Sequence, residues 1–128
     1  VPKIEIRTDN APKPVAKFSQ AVRKGNILQV AGQVAFDPAT GAVVGDTVAE
    51  QTKQTLANLA AVLEAAGASI DDVVMMRVYL TDTAHFGELN EAYGEFFVAE
   101  PYPARTTVYV GLPAGLLVEI DALAVLGE

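Results

Sequence analysis

Residues 101–111 read PYPARTTVYVG, and residues 116–126 read LLVEIDALAVL. Arg105 opens an otherwise apolar run, and a guanidinium stays charged and is costly to bury without an anion. If both runs are strands, side chains alternate: Arg105, Thr107 and Tyr109 share one face, with Thr106, Val108 and Val110 on the other. In the second run Glu119 and Asp121 share a face, opposed by Val118, Ile120, Ala122 and Ala124. Two chemistries fit a cation and two carboxylates on consecutive strands. One is a structural ion pair at a sheet edge or subunit contact. The other is a guanidinium that forks onto a ligand carboxylate while Glu119 holds a water or a proton. Spacing leaves both open.

Other polar candidates are few. Gly32, after the apolar ILQVA, offers either a close backbone approach to a ligand or a bulge. Asn90 is a polar residue on the inward stripe of a predicted helix, where it either caps backbone or faces a ligand. The chain has one histidine, His85, and no cysteine, so a multi-histidine or thiolate metal site, a disulfide framework and a thiol nucleophile are all excluded. Ser19 and Ser69 have no recognisable His/Asp partner. GDTVAEQT lacks the lysine and glycine spacing of a phosphate loop. With 9 basic and 16 acidic residues the formal charge is −7, which argues against nucleic acid and anionic membrane as partners. No apolar stretch is long enough to span a bilayer, and the opening VPKIEIRTDN lacks a continuous apolar leader core. A cytoplasmic protein is the expectation.

The elements that must position these residues follow from pattern. At 128 residues and 51% hydrophobic, one domain with a single core is expected over residues 1–128. RKGN (Arg23–Asn26) reads as a hairpin turn before the strand Ile27–Gly32. Thr47-Val48-Ala49-Glu50 is a capping box; Thr52, Leu56, Leu59, Leu63 and Ala66 then share a helical face, and Gly67 suits its stop. Asp71-Asp72 caps a turn ahead of the strand VVMMRVYL. A second helix is predicted over Thr83–Val98, with Phe86, Leu89, Asn90, Tyr93, Phe96 and Phe97 on or near one face. Pro101 and Pro103 end it. The order is an α+β, mixed-sheet domain with two helices on one face, and two helices leave the other face of so apolar a sheet uncovered. Subunit association is the expectation.

The segments FSQAVRKGNILQVAGQVAFDPATG, EQTKQTLANLAAVLEAAG, NEAYGEFF, PART and GLLVEIDALAV run in order over nearly the whole chain, and together they resemble the RidA (YjgF-like) family of reactive-intermediate deaminases. That resemblance implies a chorismate-mutase-like fold: a six-stranded mixed sheet with two helices packed on one face. It also implies a homotrimer with ligand clefts between neighbouring subunits. The implied activity is hydrolysis of 2-aminoacrylate and related 2-imino acids to 2-keto acids and ammonia, with no cofactor and no metal. Arg105 matches the arginine that grips the substrate carboxylate, and Glu119 the acid that positions water with backbone carbonyls. Gly32 matches a glycine whose N–H meets the ligand, and Asn90 a cleft asparagine. Three positions depart from the pattern. Phe18 stands in place of a tyrosine, Ala31 in place of a serine, and Thr107 in place of a cysteine whose carbonyl helps hold the water. The connection from Arg105 to Glu119 is also one residue shorter. Loss of two hydroxyls leaves a second reading, a non-catalytic binder or sensor of small 2-keto acids. An RNA-cleaving role, ascribed to some relatives, sits poorly with the −7 charge and the single histidine. A chaperone role has no sequence diagnostic.

Overall fold

Thr47 starts the longer helix as its sequence predicts. Its hydroxyl accepts from the Glu50 N–H at 3.1 Å, and the Glu50 carboxylate accepts from the Thr47 N–H at 3.1 Å, which opens α1 (Val48–Ala65). Leu56, Leu59, Val62 and Leu63 are buried along it, and Gly67 takes a positive φ of 75° just beyond its end. The computed structural model describes residues 1–127. In chain order the strands are β1 (Lys3–Ile6), β2 (Ala21–Lys24), β3 (Ile27–Gln33), β4 (Val73–Leu80), β5 (Ala104–Tyr109) and β6 (Val118–Val125), with α2 (Phe86–Phe96) between β4 and β5.

The strands form one mixed sheet in the order β1-β2-β3-β6-β4-β5. Of its five pairings, β4–β5 is parallel and the rest are antiparallel. The parallel pair needs a crossover, which α2 provides; α1 carries the chain from β3 past β6 to β4. The expected six-stranded sheet with two helices on one face is what forms. Leu28, Val30, Met76, Val78, Val118, Ile120, Ala122 and Ala124 are buried with the helix residues in a single core. The opposite face stays open in the single chain: Ile27, Val108, Val110 and Val125 alternate away from the core and are 45%, 39%, 36% and 37% exposed.

Two details differ from what the sequence predicts. The second helix does not span Thr83–Val98: the Asp82 carboxylate accepts from the Ala84 N–H at 2.8 Å and caps a 3-10 turn, Thr83–His85, so the α-helix begins at Phe86, and it ends at Phe96. The strand through Gly32 continues to Gln33 across a register slip between Val30 and Gln33.

Three buried amides fasten the loops near the ends of these strands. Gln20 accepts from the Thr8 N–H at 2.7 Å and donates to the Pro12 carbonyl at 2.9 Å, pinning the segment that leads to Phe18. Asn58 donates to the carbonyls of Val34 and Phe36, both at 2.9 Å. Gln51 donates to Gly115 O at 2.7 Å and accepts from the Leu117 N–H at 2.9 Å, which fixes the entry into β6. Each amide satisfies backbone groups that burial would otherwise leave orphaned.

Candidate functional site

Arg105 projects from the helix-covered side of β5 toward α2. Its guanidinium carbon lies 4.8 Å from the centre of the Tyr93 ring and 5.6 Å from that of Phe86. Phe86, Asn90 and Tyr93 fall at i, i+4 and i+7, so helical spacing puts both rings on one stripe with Asn90 between them. The rings attract the cation through their quadrupoles without neutralising it. Among the described residues no ion pair includes Arg105. Burial pushes the Tyr93 phenol up to about 12, and the Arg105 charge works in the opposite direction. The hydroxyls of Tyr93 and Thr107 are both buried without a hydrogen-bond partner among the described residues. Thr107 lies two residues from Arg105 on the same face, so its orphaned hydroxyl borders the guanidinium's side of the strand. His85 Nδ1, beside Phe86, is likewise buried and unpartnered. Tyr93, Phe97, Tyr102 and Arg105 bound a hollow of about 380 Å³.

A second group gathers elsewhere. Glu119 extends from the open face of β6 against the backbone of Gly32. A Cβ placed on Gly32 would stand 2.9 Å from Glu119 Cδ and closer still to Oε2. The register slip in β3 makes room for this approach, and only glycine leaves the space. Ala31 is anchored through its N–H to the Gln20 carbonyl at 2.9 Å. Phe18, 51% exposed, joins Gly32, Val34 and Phe36 around a small cavity of about 80 Å³. Burial, and after it the neighbouring Asp121 charge, raises the Glu119 carboxyl above the ordinary carboxylate range.

Gly32→Ala tests this contact. The added methyl meets the mobile end of a side chain, so thermal stability should change by less than about 1 kcal/mol. The carboxylate must swing away, and any turnover in which Glu119 takes part should fall by about tenfold or more. Unaltered kinetics in a stably folded variant would show that the contact between Glu119 and Gly32 carries no function.

The two groups lie on opposite faces of the sheet. In the parallel ladder Arg105 and Thr107 stand beside Met76 and Val78, whose side chains are buried under the helices. Glu119 and Asp121 stand beside Tyr79 and Arg77, which alternate to the open face. β4 also separates β5 from β6. Within one chain the structure therefore brings Phe18, Ala31, Gly32 and Glu119 into one neighbourhood. It brings Arg105, Thr107 and Asn90 into another, and it does not join the two. A structural ion pair does exist on β6, but with a different arginine: Arg77 Nε donates to Asp121 Oδ1 at 2.7 Å. Neither Arg77 nor Tyr79 stands out in the sequence, and Phe86 and Tyr93 look there like helix-face residues rather than the aromatic bed they form. Among the described residues no cluster of three or more potential ligands is placed to hold a metal ion, and no helix is long and apolar enough to cross a membrane.

Comparison with known proteins covers almost the whole chain. Residues 8–126 match the family model described as Endoribonuclease L-PSP. The chain is 48% identical to a RutC family protein of Pyrococcus horikoshii over 93% of this chain and 94% of that one. It is 42% identical to the 2-iminobutanoate/2-iminopropanoate deaminase of Mus musculus over 95% of this chain and 90% of that protein. Among solved structures, RidA from the Antarctic bacterium Psychrobacter superposes with a TM-score of 0.91 at 42% identity, covering 96% of this chain and 99% of that one. E. coli TdcF with bound serine superposes with a TM-score of 0.91 at 35% identity, covering 97% and 99% in the same order.

Proposed function

The chain belongs to the RidA (YjgF-like) family, and on that premise we propose that it hydrolyses small 2-imino acids to 2-keto acids and ammonia in a cleft completed by a second copy of itself. The observation that carries this reading is the division of the site. A guanidinium on an aromatic bed, with no ion pair among the described residues, faces one way, and a raised carboxyl against a glycine backbone faces the other. The apolar residues of the open face support association of copies there, and a homotrimer is the assembly proposed.

In the proposed reaction Arg105 binds the substrate carboxylate by a two-pronged hydrogen bond, with the Gly32 N–H and Asn90 as further contacts. Glu119 of one copy and the Thr107 backbone carbonyl of the copy that supplies Arg105 hold a water against the imine carbon. The water oxygen bonds to that carbon and the C=N electron pair moves to nitrogen, while Glu119 takes the water's proton. Glu119 returns that proton to nitrogen to give a carbinolamine; it then takes the hydroxyl proton and passes it to nitrogen, so that the C–N bond breaks and ammonia leaves as the carbonyl forms. The imine is already electrophilic, so positioning can supply much of the rate gain. The reaction requires neither cofactor nor metal, and a reducing cytoplasm is the proposed setting.

One observation favours a second reading. Phe18 and Ala31 put no hydroxyl on the glycine side of the cleft, as a binder of small 2-keto acids would tolerate. Two measurements made side by side separate the readings. Imino acid is generated in place from L-serine and L-threonine by a dehydratase, and 2-ketobutyrate binding is followed by calorimetry. Ammonia release above the spontaneous rate is the expected result. Binding without acceleration would replace the deaminase with the binder.

A further inference from the structure

On the open face, Glu119, Asp121, Tyr79 and Arg77 form a two-by-two patch. Tyr79 lies directly across the ladder from Glu119, and Arg77 directly across from Asp121. Cross-strand neighbours stand about 5 Å apart and same-face neighbours along a strand about 7 Å apart, so every member is within electrostatic reach of Glu119. Asp121 is only 8% exposed, yet both of its oxygens are occupied: Oδ1 by Arg77 Nε at 2.7 Å and Oδ2 by the Tyr79 hydroxyl at 2.8 Å. The strands are already joined by their ladder, and an ion pair whose arginine side chain is 48% exposed adds little to that union. Its position suits another task.

We infer that Arg77, Tyr79 and Asp121 are positioning residues for Glu119: they hold a compensated negative charge beside it, which sets the strength of Glu119 as the proton acceptor for the attacking water. The inference rests on the deaminase reading for its kinetic meaning and on geometry alone for the coupling. The Asp121 charge opposes ionisation of Glu119, and the Arg77 cation and the Tyr79 donor restrain that effect. From β3 only the uncharged Gly32 faces Glu119; from β4, Tyr79 and Arg77 do; from β6 itself, Asp121. In the proposed assembly the Arg105 of a second copy adds a charge that is the same in every variant compared.

A proton acceptor works when ionised, and the Glu119 carboxyl is raised, so activity falls as pH drops through that raised value. Asp121→Asn removes the opposing charge and should move the acidic limb of kcat/KM to lower pH. Arg77→Gln leaves the Asp121 charge uncompensated and should move the limb to higher pH. Shifts of about half a pH unit or more are expected in each direction. Tyr79→Phe, which keeps the ring and the fold, should shift the limb in the same sense as Arg77→Gln by a smaller amount.

The experiment pairs these pH–rate profiles with titration of the Glu119 carboxyl by carbon-13 NMR in the assembled protein, the resonance being assigned by its loss in Glu119→Gln. Opposed shifts in Asp121→Asn and Arg77→Gln, seen in both measurements, support the network. An unmoved Glu119 titration, or shifts of the same sign in both variants, overturns it. If Arg77→Gln fails to fold, Tyr79→Phe compared with Asp121→Asn decides the same question. A wild type without deaminase activity would sink the functional reading alone, and the NMR titration would still decide the coupling.

Discussion

Arg105→Ala is expected to lower kcat/KM for 2-iminopropanoate by roughly 10²- to 10³-fold, about 3 to 4 kcal/mol of lost transition-state stabilisation. The magnitude follows from the site. The guanidinium has no carboxylate partner among the described residues, so its donors are available to a ligand, and the Tyr93 and Phe86 rings restrict where it can point. A preoriented cation loses little freedom on binding, which makes its charge-assisted bonds worth more than those of a mobile surface arginine. Arg105→Lys keeps the charge and gives up the planar fork. It should recover only part of the loss, mainly as weaker substrate affinity. Ammonia release above background must be measured on freshly generated imine, because the substrate hydrolyses unaided. Equal rates in wild type and Arg105→Ala would end the assignment.

The second large effect concerns Glu119, and it reports on assembly as well as chemistry. Glu119→Gln keeps the shape and removes the proton acceptor, so kcat should fall by about 10²- to 10⁴-fold with little change in KM. Because Arg105 and Glu119 project from opposite faces, the two defects belong to different contributions to each cleft. Arg105→Ala and Glu119→Gln chains, each almost inactive alone, should therefore complement when mixed. In randomly mixed closed assemblies each cleft draws its arginine from one copy and its carboxylate from the next. About one quarter of the clefts then carry both wild-type groups, and about one quarter of wild-type activity should return. Co-expression from two tags followed by tandem purification removes the unmixed assemblies, and since every mixed trimer has one intact cleft in three, about one third of wild-type activity is expected in that fraction. A mixture no more active than its parents would place both groups in the service of one chain and refute the shared cleft.

What sequence made legible depended on range. The α1 capping box lies within four consecutive residues, and its hydrogen bonds form as the pattern requires. Strand alternation correctly separated Arg105 and Thr107 from Thr106, and Glu119 from Ile120, because each decision is local to one strand. Their relation to each other was not local. Whether Arg105 and Glu119 meet depends on strand order and on β4 entering between β5 and β6, which no periodicity carries. The same holds for Gln20, Gln51 and Asn58. In sequence they look like solvated amides, and burial becomes visible only once the backbone carbonyls they satisfy have converged from distant segments. Arg77 was hidden inside an apolar strand for a similar reason: its partner lies forty-four positions away.

The opposite-face placement also has a genetic consequence. In the proposed ring every chain lends its arginine to one cleft and its carboxylate to another, so a chain damaged on one face spoils a single cleft. A chain damaged on both faces spoils two. Mixed at equal dosage with wild type, a single-face allele should leave about one half of the clefts intact, and a doubly defective allele only about one quarter. The harm done by the double allele thus exceeds its own share of the copies, whereas two different single-face alleles partly rescue each other.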